Sequence, residues 1–319
     1  MTHGKTETLL PDPAGIARAA SLLAEGQLVG LPTETVYGLA GDATSDMACA
    51  RIFEAKGRPR FNPLIVHLPG VEAVERIACM NATAHALASA FWPGPLTLVL
   101  PLREGHGLSP LVTAGLETVA IRLPAHPVMR AVLAAFGGPV AAPSANPSGR
   151  ISPSTAGHVL AGLDGRIAAV LDGGACEVGL ESTILAPAET GTRLLREGGL
   201  PREAIEALTG YLILDTTPGK VQAPGQLSSH YAPRTPVVLG SALDDPGTIR
   251  LGFGPGAADL TLSEGGDLVE AAANLFSALH KADDLAIARK AHAIHVAPIP
   301  DHGLGRAIND RLSRAAAPR

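Results

Sequence analysis

Short apolar runs and longer amphipathic stretches alternate along this chain. From Pro13 to Glu25, Ile16, Ala19, Ala20 and Leu23 recur at helical spacing, and Gly26 suits the stop. Leu28 to Leu31 then reads as a short buried strand. Ser45 is placed to cap a helix running to about Lys56, closed by Gly57 and Pro59. Leu64 to Leu68 predicts a strand, Ala82 to Phe91 a helix ended by Pro93 and Gly94, and Leu96 to Leu100 a strand. Val119 to Leu123 predicts another strand, and Pro127 to Phe136 a helix stopped by Gly137 and Gly138. Val140 to Ala142, Ala168 to Leu171, Thr183 to Ala186 and Arg193 to Arg196 predict short strands. A helix from Pro201 to Leu208 follows, with proline near its first turn. Several strands are joined by little more than a turn, which predicts a mixed sheet over a purely parallel one.

After Gly210 the pattern changes. Thr216 to Arg234 holds Pro218, Gly219, Pro224, Gly225 and Pro233 with little periodicity, the mark of a linker or long functional loop. Alternation then resumes with strands at 236–239, 248–252 and 260–262, a helix at 267–280, a strand at 293–297 and a helix at 303–315. Strands separated by helices over so short a stretch predict a small parallel α/β domain.

At 319 residues, and roughly 100–200 residues per domain, two domains, or one large one with an appendage, are expected. Hydrophobic residues make up 46%, enough for a packed core, whereas aromatics make up only 3%. That scarcity argues against a nucleic-acid platform built from stacking side chains. The formal net charge of −5 argues against a surface that grips nucleic acid all over, but leaves room for a local basic cleft. Cys49, Cys79 and Cys176 are far apart, so neither a disulfide framework nor a structural zinc site is expected. The first residues lack an apolar targeting core and no uncharged apolar run reaches a membrane span, so a cytoplasmic protein is expected.

Several standard sites are missing: the phosphate-binding P-loop, the G-x-S-x-G nucleophile turn and the H-E-x-x-H zinc motif. Gly252 to Ala257 matches the dinucleotide fingerprint G-x-G-x-x-A, but Pro255 and the short polar segment after it leave no room for a long phosphate-binding helix, so a tight turn is expected. His292 and His295 have no third ligand in sight, and no metal is assigned to them.

The informative residues lie in the first 200. Thr33, Glu34, Thr35 and Tyr37 follow an apolar strand. Lys56, Arg58 and Arg60 are packed between Gly57, Pro59 and Pro63, which puts a cationic loop between a helix and a strand. Guanidinium forks there suit polyphosphate or carboxylate. His67 ends the next strand, and Arg122 lies in a strand that otherwise reads as buried, where a cation requires an anionic partner. Ser144, Asn146 and Arg150, then Glu181, Ser182 and Thr183, and finally Arg196 repeat the theme of polar groups at strand ends. Open α/β sheets put ligands at such loops. The spacing therefore predicts one cleft for a ligand bearing several negative charges.

At these residues the sequence resembles the threonylcarbamoyl-AMP synthase family, the YrdC/Sua5 proteins. The segments PTETVYGL (32–39), KGRPRFNPL (56–64), WPGPLT (92–97), AIRLP (120–124), PSANPSG (143–149), ESTI (181–184) and LREG (195–198) occur in the family's order and spacing. The later stretch from Ala223 to Pro233 looks like the linker of the long, two-domain form, although Gln226-Leu227-Ser228-Ser229 replaces a more basic run. The resemblance implies a twisted mixed sheet flanked by helices over 1–209, a linker or lid over 210–235, and a small Rossmann-like parallel α/β domain over 236–319. It implies that Lys56 and Arg58 act in catalysis. Thr35, His67, Arg122 and Ser182 would hold L-threonine, with Ala142 contributing backbone. Arg58, Asn62, Thr118, Ser144, Asn146, Ser152 and Arg196, with Tyr231 and Arg234 of the linker, would contact ATP.

The implied reaction joins L-threonine, bicarbonate (or CO2) and ATP into threonylcarbamoyl-adenylate and pyrophosphate, the precursor of the t6A modification of tRNA. Mg2+ is expected with the ATP, and the downstream transfer machinery is an expected partner. Three anionic groups must meet, so Lys56, Arg58, Arg122 and Arg196 are expected to offset their repulsion by positioning and electrostatics. Arg122 is assigned to the threonine carboxylate, and Arg58 and Arg196 to phosphates. Two other readings use the same cleft: a tRNA or double-stranded RNA module, whose affinity would fall steeply with salt, and a carbamoyl-transfer maturation factor, disfavoured by the lack of C-x-x-C pairs.

Overall fold

Local signals set many element ends. Asp12 caps the helix Pro13–Ala24 by accepting from the Gly15 amide at 2.8 Å, with Pro13 at its first position. Ser45 caps the helix Asp46–Lys56 through the Ala48 amide, and Gly57 ends it in the left-handed region at φ 60°. Gly137 closes Pro127–Phe136 in the same way at φ 76°.

The computed structural model describes residues 4–214, 230–240, 245 and 247–318. In chain order its strands are β1 (Glu7–Leu9), β2 (Val29–Leu31), β3 (Gly38–Asp42), β4 (Ile65–His67), β5 (Leu96–Pro101), β6 (Thr118–Arg122), β7 (Val140–Ala141), β8 (Ala169–Leu171), β9 (Thr183–Ala188), β10 (Gly191–Arg196), β11 (Leu212–Leu214), β12 (Val237–Leu239), β13 (Thr248–Gly252), β14 (Leu260–Thr261) and β15 (Ala293–Val296). The first eleven form one sheet in the order β1-β8-β2-β3-β7-β4-β6-β5-β9-β10-β11. It mixes parallel pairs such as β4 with β6 and antiparallel ones such as β5 with β6, as the short connections predicted. The other four form a wholly parallel sheet, β12-β15-β13-β14.

The structure adds elements that the pattern did not reveal. β3 is Gly-Leu-Ala-Gly-Asp, poor in the β-branched residues that advertise a strand, yet it sits between β2 and β7. The helix Ala156–Leu163 carries Gly157 and Gly162, which mask its period. β11 pairs in parallel with Thr192–Leu194 of β10, so the large sheet reaches beyond residue 209 and takes in the first part of the expected linker. Gly252 to Ala257 leads through a short connection into β14, not into a helix.

Alternation along β4, β5, β6 and β9 gives the large sheet two different faces. Val66, Leu98, Leu100, Val119, Ile121 and Leu185 pack with Ile52, Phe53, Val74 and Leu87 of the helices. Ile65, Val99, Ala120 and Ile184 point the other way and form a smaller apolar patch of their own. The site described below lies along that second face. The two halves share a core: Val36, Ile151 and Leu180 pack with Tyr231, Leu275 and Phe276. Gly179, at φ 69°, sits where a Cβ would lie 2.4 Å from the carbonyl oxygen of Ala272, so backbone meets helix Leu268–Arg289 directly.

Candidate active site

One cavity collects residues from most of the polar segments. Thr33, Thr35, Arg58, His67, Arg122, Ala142, Ser144, Glu181, Ser182, Arg196, His230 and Tyr231 all border it, and its interior is about 50 Å³. Four elements of local structure bring them there.

The first is the register of β4, β5 and β6. His67 and Thr97 both pair with Arg122, so the three lie side by side on the same face. Arg122 is 4% exposed, and its Nη1 donates to Thr35 Oγ1 at 2.7 Å while its Nε donates to the Gly94 carbonyl at 3.2 Å. The anionic partner that a buried strand arginine requires is on the protein: Glu34 Oε1 lies 2.7 Å from Nη2. Burial pushes the Glu34 carboxyl up, but Arg122 more than offsets this and holds it below the ordinary value. Burial, and then the charge of Arg122, lowers the His67 pKa to about 3, so its ring is neutral; its Nδ1 makes no hydrogen bond.

The second is the left-handed turn at Gly57. It separates two neighbouring cations. Lys56 ends its helix and donates from Nζ to the carbonyls of Ser144 and Asn146, each at 2.5 Å, while its own carbonyl accepts from the Ser148 amide. It thus holds the 143–149 loop from behind and does not border the cavity, contrary to the expectation that it would act beside Arg58. Arg58, past the turn, does face inward, its Nη2 donating to the Pro63 carbonyl at 2.9 Å. Burial and the nearby Arg196 charge lower its pKa to about 10, and it stays charged at neutral pH.

The third is a bulge in β10. Leu194 pairs with Leu185 but Arg196 pairs with Ile184, so the register slips by one residue. Strict alternation would put Arg196 on the helix-covered face with Leu194; the bulge turns it to the ligand face. There Nη2 donates to the Ser182 carbonyl at 2.8 Å, and the Ser182 hydroxyl meets Thr97 Oγ1 at 2.7 Å. Gly198 makes this possible: a Cβ there would lie 2.4 Å from the backbone of residues 181–183.

The fourth is the segment His230–Ala232. The His230 amide donates to the Arg314 carbonyl and the Ala232 amide to the Gly149 carbonyl, which ties the segment to both halves. Tyr231 is buried at φ 63°, a strained conformation for a tyrosine, with its ring 4.1 Å from His230 and 5.6 Å from Phe276. Burial lowers the His230 pKa to about 3. The rest of the expected lid, residues 215–229, lies outside the described residues.

Other predicted residues stand back from the cavity. Asn62 and Asn146 are buried and shape loops: Arg58 Nε reaches the Asn62 carbonyl, and Asn146 Nδ2 donates to the Arg150 carbonyl at 2.8 Å. Ser152 donates to Glu181 Oε1 at 2.6 Å. Thr118 shares the face of Arg122 four residues away, or about 13 Å along the strand. Arg234 is the clear departure: it points to helix Leu268–Arg289, pairing with Asp283 at 2.8 Å and Asp284 at 2.6 Å. Glu34, Thr97, Glu181 and His230 had no assigned role. The first three lie in or beside the quoted motifs, where alternation could have picked them out.

Among the described residues, the carboxylates of Glu34 and Glu181 stand near the cavity, paired with Arg122 and Arg311. Among the described residues no group of three His, Cys, Asp or Glu side chains is placed to hold a metal ion. No helix there is long and apolar enough to cross a membrane. The arrangement is a cationic, hydroxyl-lined recess without an activated nucleophile, suited to aligning anions.

Comparison with known proteins agrees with that geometry. A family model described as "Telomere recombination" matches residues 21–198, and one described as "Threonylcarbamoyl-AMP synthase, C-terminal domain" matches 200–317. The chain is 41% identical to a threonylcarbamoyl-AMP synthase of Bacillus subtilis (strain 168), covering 98% of this chain and 96% of that one. It is 39% identical to that of Pyrococcus abyssi (strain GE5 / Orsay), covering 94% of each. The crystal structure of P. abyssi Sua5 complexed with L-threonine superposes with a TM-score of 0.88 at 37% identity, over 98% of this chain and 97% of that one. With both halves matched in order along nearly the whole length, the chain belongs to the threonylcarbamoyl-AMP synthase family.

Proposed function

We propose that this protein is an L-threonylcarbamoyladenylate synthase, a nucleotidyltransferase that joins L-threonine, bicarbonate or CO2, and ATP, releasing pyrophosphate. The observation that carries the reading is the convergence of Arg58, Arg122, Ser144 and Arg196 on a single recess. The threonine-bound relative supports the amino-acid half.

The neutral amine of threonine attacks the carbon of CO2 with release of a proton to solvent, or that of bicarbonate with loss of water, and gives a carbamate. A carbamate oxygen then attacks the α-phosphorus of ATP in line with the bond to pyrophosphate, which breaks as the new P–O bond forms. Threonine lies by Thr35, His67, Arg122, Ala142 and Ser182, at the end of β6. The phosphates lie by Arg58 and Arg196, and the nucleoside extends along the sheet face toward Thr118. Bringing carboxylate, carbamate and triphosphate together is the electrostatic obstacle, and preorganised, buried guanidinium groups lower it without rearranging during reaction. Neutral His67 and His230 accept hydrogen bonds without adding charge. Mg2+ bound with ATP would supply further charge neutralisation at the phosphates beside Arg58 and Arg196; among the described residues no cluster of carboxylates is placed to hold it.

Pyrophosphate release tests the reading. It is expected only with ATP, threonine and bicarbonate together, and to stop on chelation of divalent cations. Release that ignores threonine or bicarbonate refutes it. The product feeds the t6A modification of tRNA, so transfer onto tRNA requires further proteins.

A further inference from the structure

Helix Leu304–Ala316 buries Leu304, Ala307, Ile308, Leu312 and Ala315, and Arg311 lies within that stripe. Its side chain is completely buried. A guanidinium there must be held by several partners; two of them, Glu181 and Tyr231, border the cavity, and a third, Glu197, directly follows Arg196. Nε donates to Glu181 Oε2 at 2.9 Å, Nη1 donates to the Glu197 carbonyl at 2.8 Å, and the guanidinium carbon is 5.5 Å from the centre of the Tyr231 ring. Asp310 Oδ2 also accepts from Nη1 at 2.9 Å. One side chain of the C-terminal half thereby grips the residue before Ser182, the residue after Arg196, and a tyrosine that lines the recess.

Glu181 makes this contact consequential. It borders the same cavity as Arg58 and Arg196, where a loose carboxylate would be drawn onto the cations that are to meet phosphate. Both its oxygens are taken, Oε1 by the Ser152 hydroxyl and Oε2 by Arg311. Burial pushes its carboxyl up, while the charges of Arg311 and Arg196 hold it below the ordinary value, so it stays ionised.

We propose that Arg311 is a positioning residue for the nucleotide half of the reaction, holding Glu181 off the phosphate-binding arginines and fixing Tyr231 in the wall of the recess. This rests on the function proposed above. Arg311 touches neither substrate; it acts through Glu181, Glu197 and Tyr231. The C-terminal half is then a working part of the active site.

The test compares full-length wild type with Arg311→Lys, Arg311→Met and the pair Arg311→Met with Glu181→Gln. Pyrophosphate release is measured with calorimetric affinities for L-threonine and for α,β-methylene ATP, which cannot release pyrophosphate. For Arg311→Met the expected result is an ATP KM raised about tenfold and kcat lowered about 10²-fold, with threonine affinity within about twofold of wild type. Arg311→Lys restores part of the loss, and adding Glu181→Gln to Arg311→Met restores nucleotide affinity, because the stray carboxylate charge is gone. Unchanged ATP KM and kcat in Arg311→Met overturns the inference. So does an equal loss of threonine and nucleotide affinity that Glu181→Gln does not relieve, the signature of a merely loosened interface. If Arg311→Met fails to fold, Arg311→Lys and the charge-free pair decide between the same outcomes. A wild type that releases no pyrophosphate defeats the proposed reaction, and the α,β-methylene ATP affinities still decide the role of Arg311.

Discussion

Removing the charge of Arg122 separates holding the fold from holding the substrate. Arg122 and Glu34 are 4% and 6% exposed and form an ion pair of 2.7 Å. In Arg122→Met, Glu34 keeps the Ala125 amide at 3.1 Å but loses its cation. An uncompensated buried carboxylate costs about 3–5 kcal/mol, which is a large share of a domain's net stability. Adding Glu34→Gln removes the stranded charge and is expected to return most of that loss. Threonine binding follows a different course. If Arg122 meets the substrate carboxylate, its affinity falls about 10²–10³-fold in both variants, while ATP affinity changes only a few-fold. Urea unfolding and titration calorimetry on the same preparations read the two effects. Recovery of threonine affinity along with stability in the double variant would refute the reasoning: Arg122 would then serve only to neutralise Glu34.

Acid should destabilise the protein in two stages. His67 and His230, each with a folded pKa of about 3 against an ordinary 6.5, take up protons only on unfolding, so stability falls as pH drops below about 6.5, by about 3 kcal/mol per histidine at pH 4.5. Glu34 and Glu181 are held below 4.5, so their contribution is present above that value and lost as pH falls through the lowered one. Urea midpoints that stay level from pH 7 to pH 4.5 would contradict this, and His67→Gln should flatten the slope of the first stage. Gly198→Ala puts a methyl against the backbone of residues 181–183; a loss of about 1–3 kcal/mol is expected, with a raised ATP KM, and wild-type kinetics would show that the contact is not needed. Lys56→Met releases the carbonyls of Ser144 and Asn146; steady-state kinetics should show a higher ATP KM with threonine affinity kept, and parallel losses in both would contradict the clamp.

The sheet, its mixed character and the small parallel unit were legible because apolar runs and turn residues report burial directly. So was the gathering of Arg58, Arg122, Ser144 and Arg196, since polar groups at strand ends have few other uses. What escaped was set by geometry over one or two residues. Lys56 and Arg58 read alike as cations of one loop, yet the left-handed turn between them sends one to the backbone and the other to the cavity. Arg196 reaches the ligand face only through a bulge that no local pattern announces. Arg234 was read with its neighbour Tyr231, but Asp283 and Asp284, about fifty residues later, claim it. Arg311 was readable by the argument applied to Arg122, a cation in an apolar stripe, although its partner lies 130 residues earlier.

The salt bridge between residues 181 and 311 also bears on how such a protein could be shortened. A polypeptide ending at Leu214 would retain Glu181, Ser152 and Arg196 but carry neither the helix that supplies Arg311 nor the tyrosine that lines the same recess. An excised amino-terminal half therefore keeps Arg196 but loses Arg311, one of the two cations whose charges hold Glu181 ionised. A minimal version is expected to gain nucleotide affinity when residue 181 is changed to glutamine, since Arg196 is then free of that carboxylate.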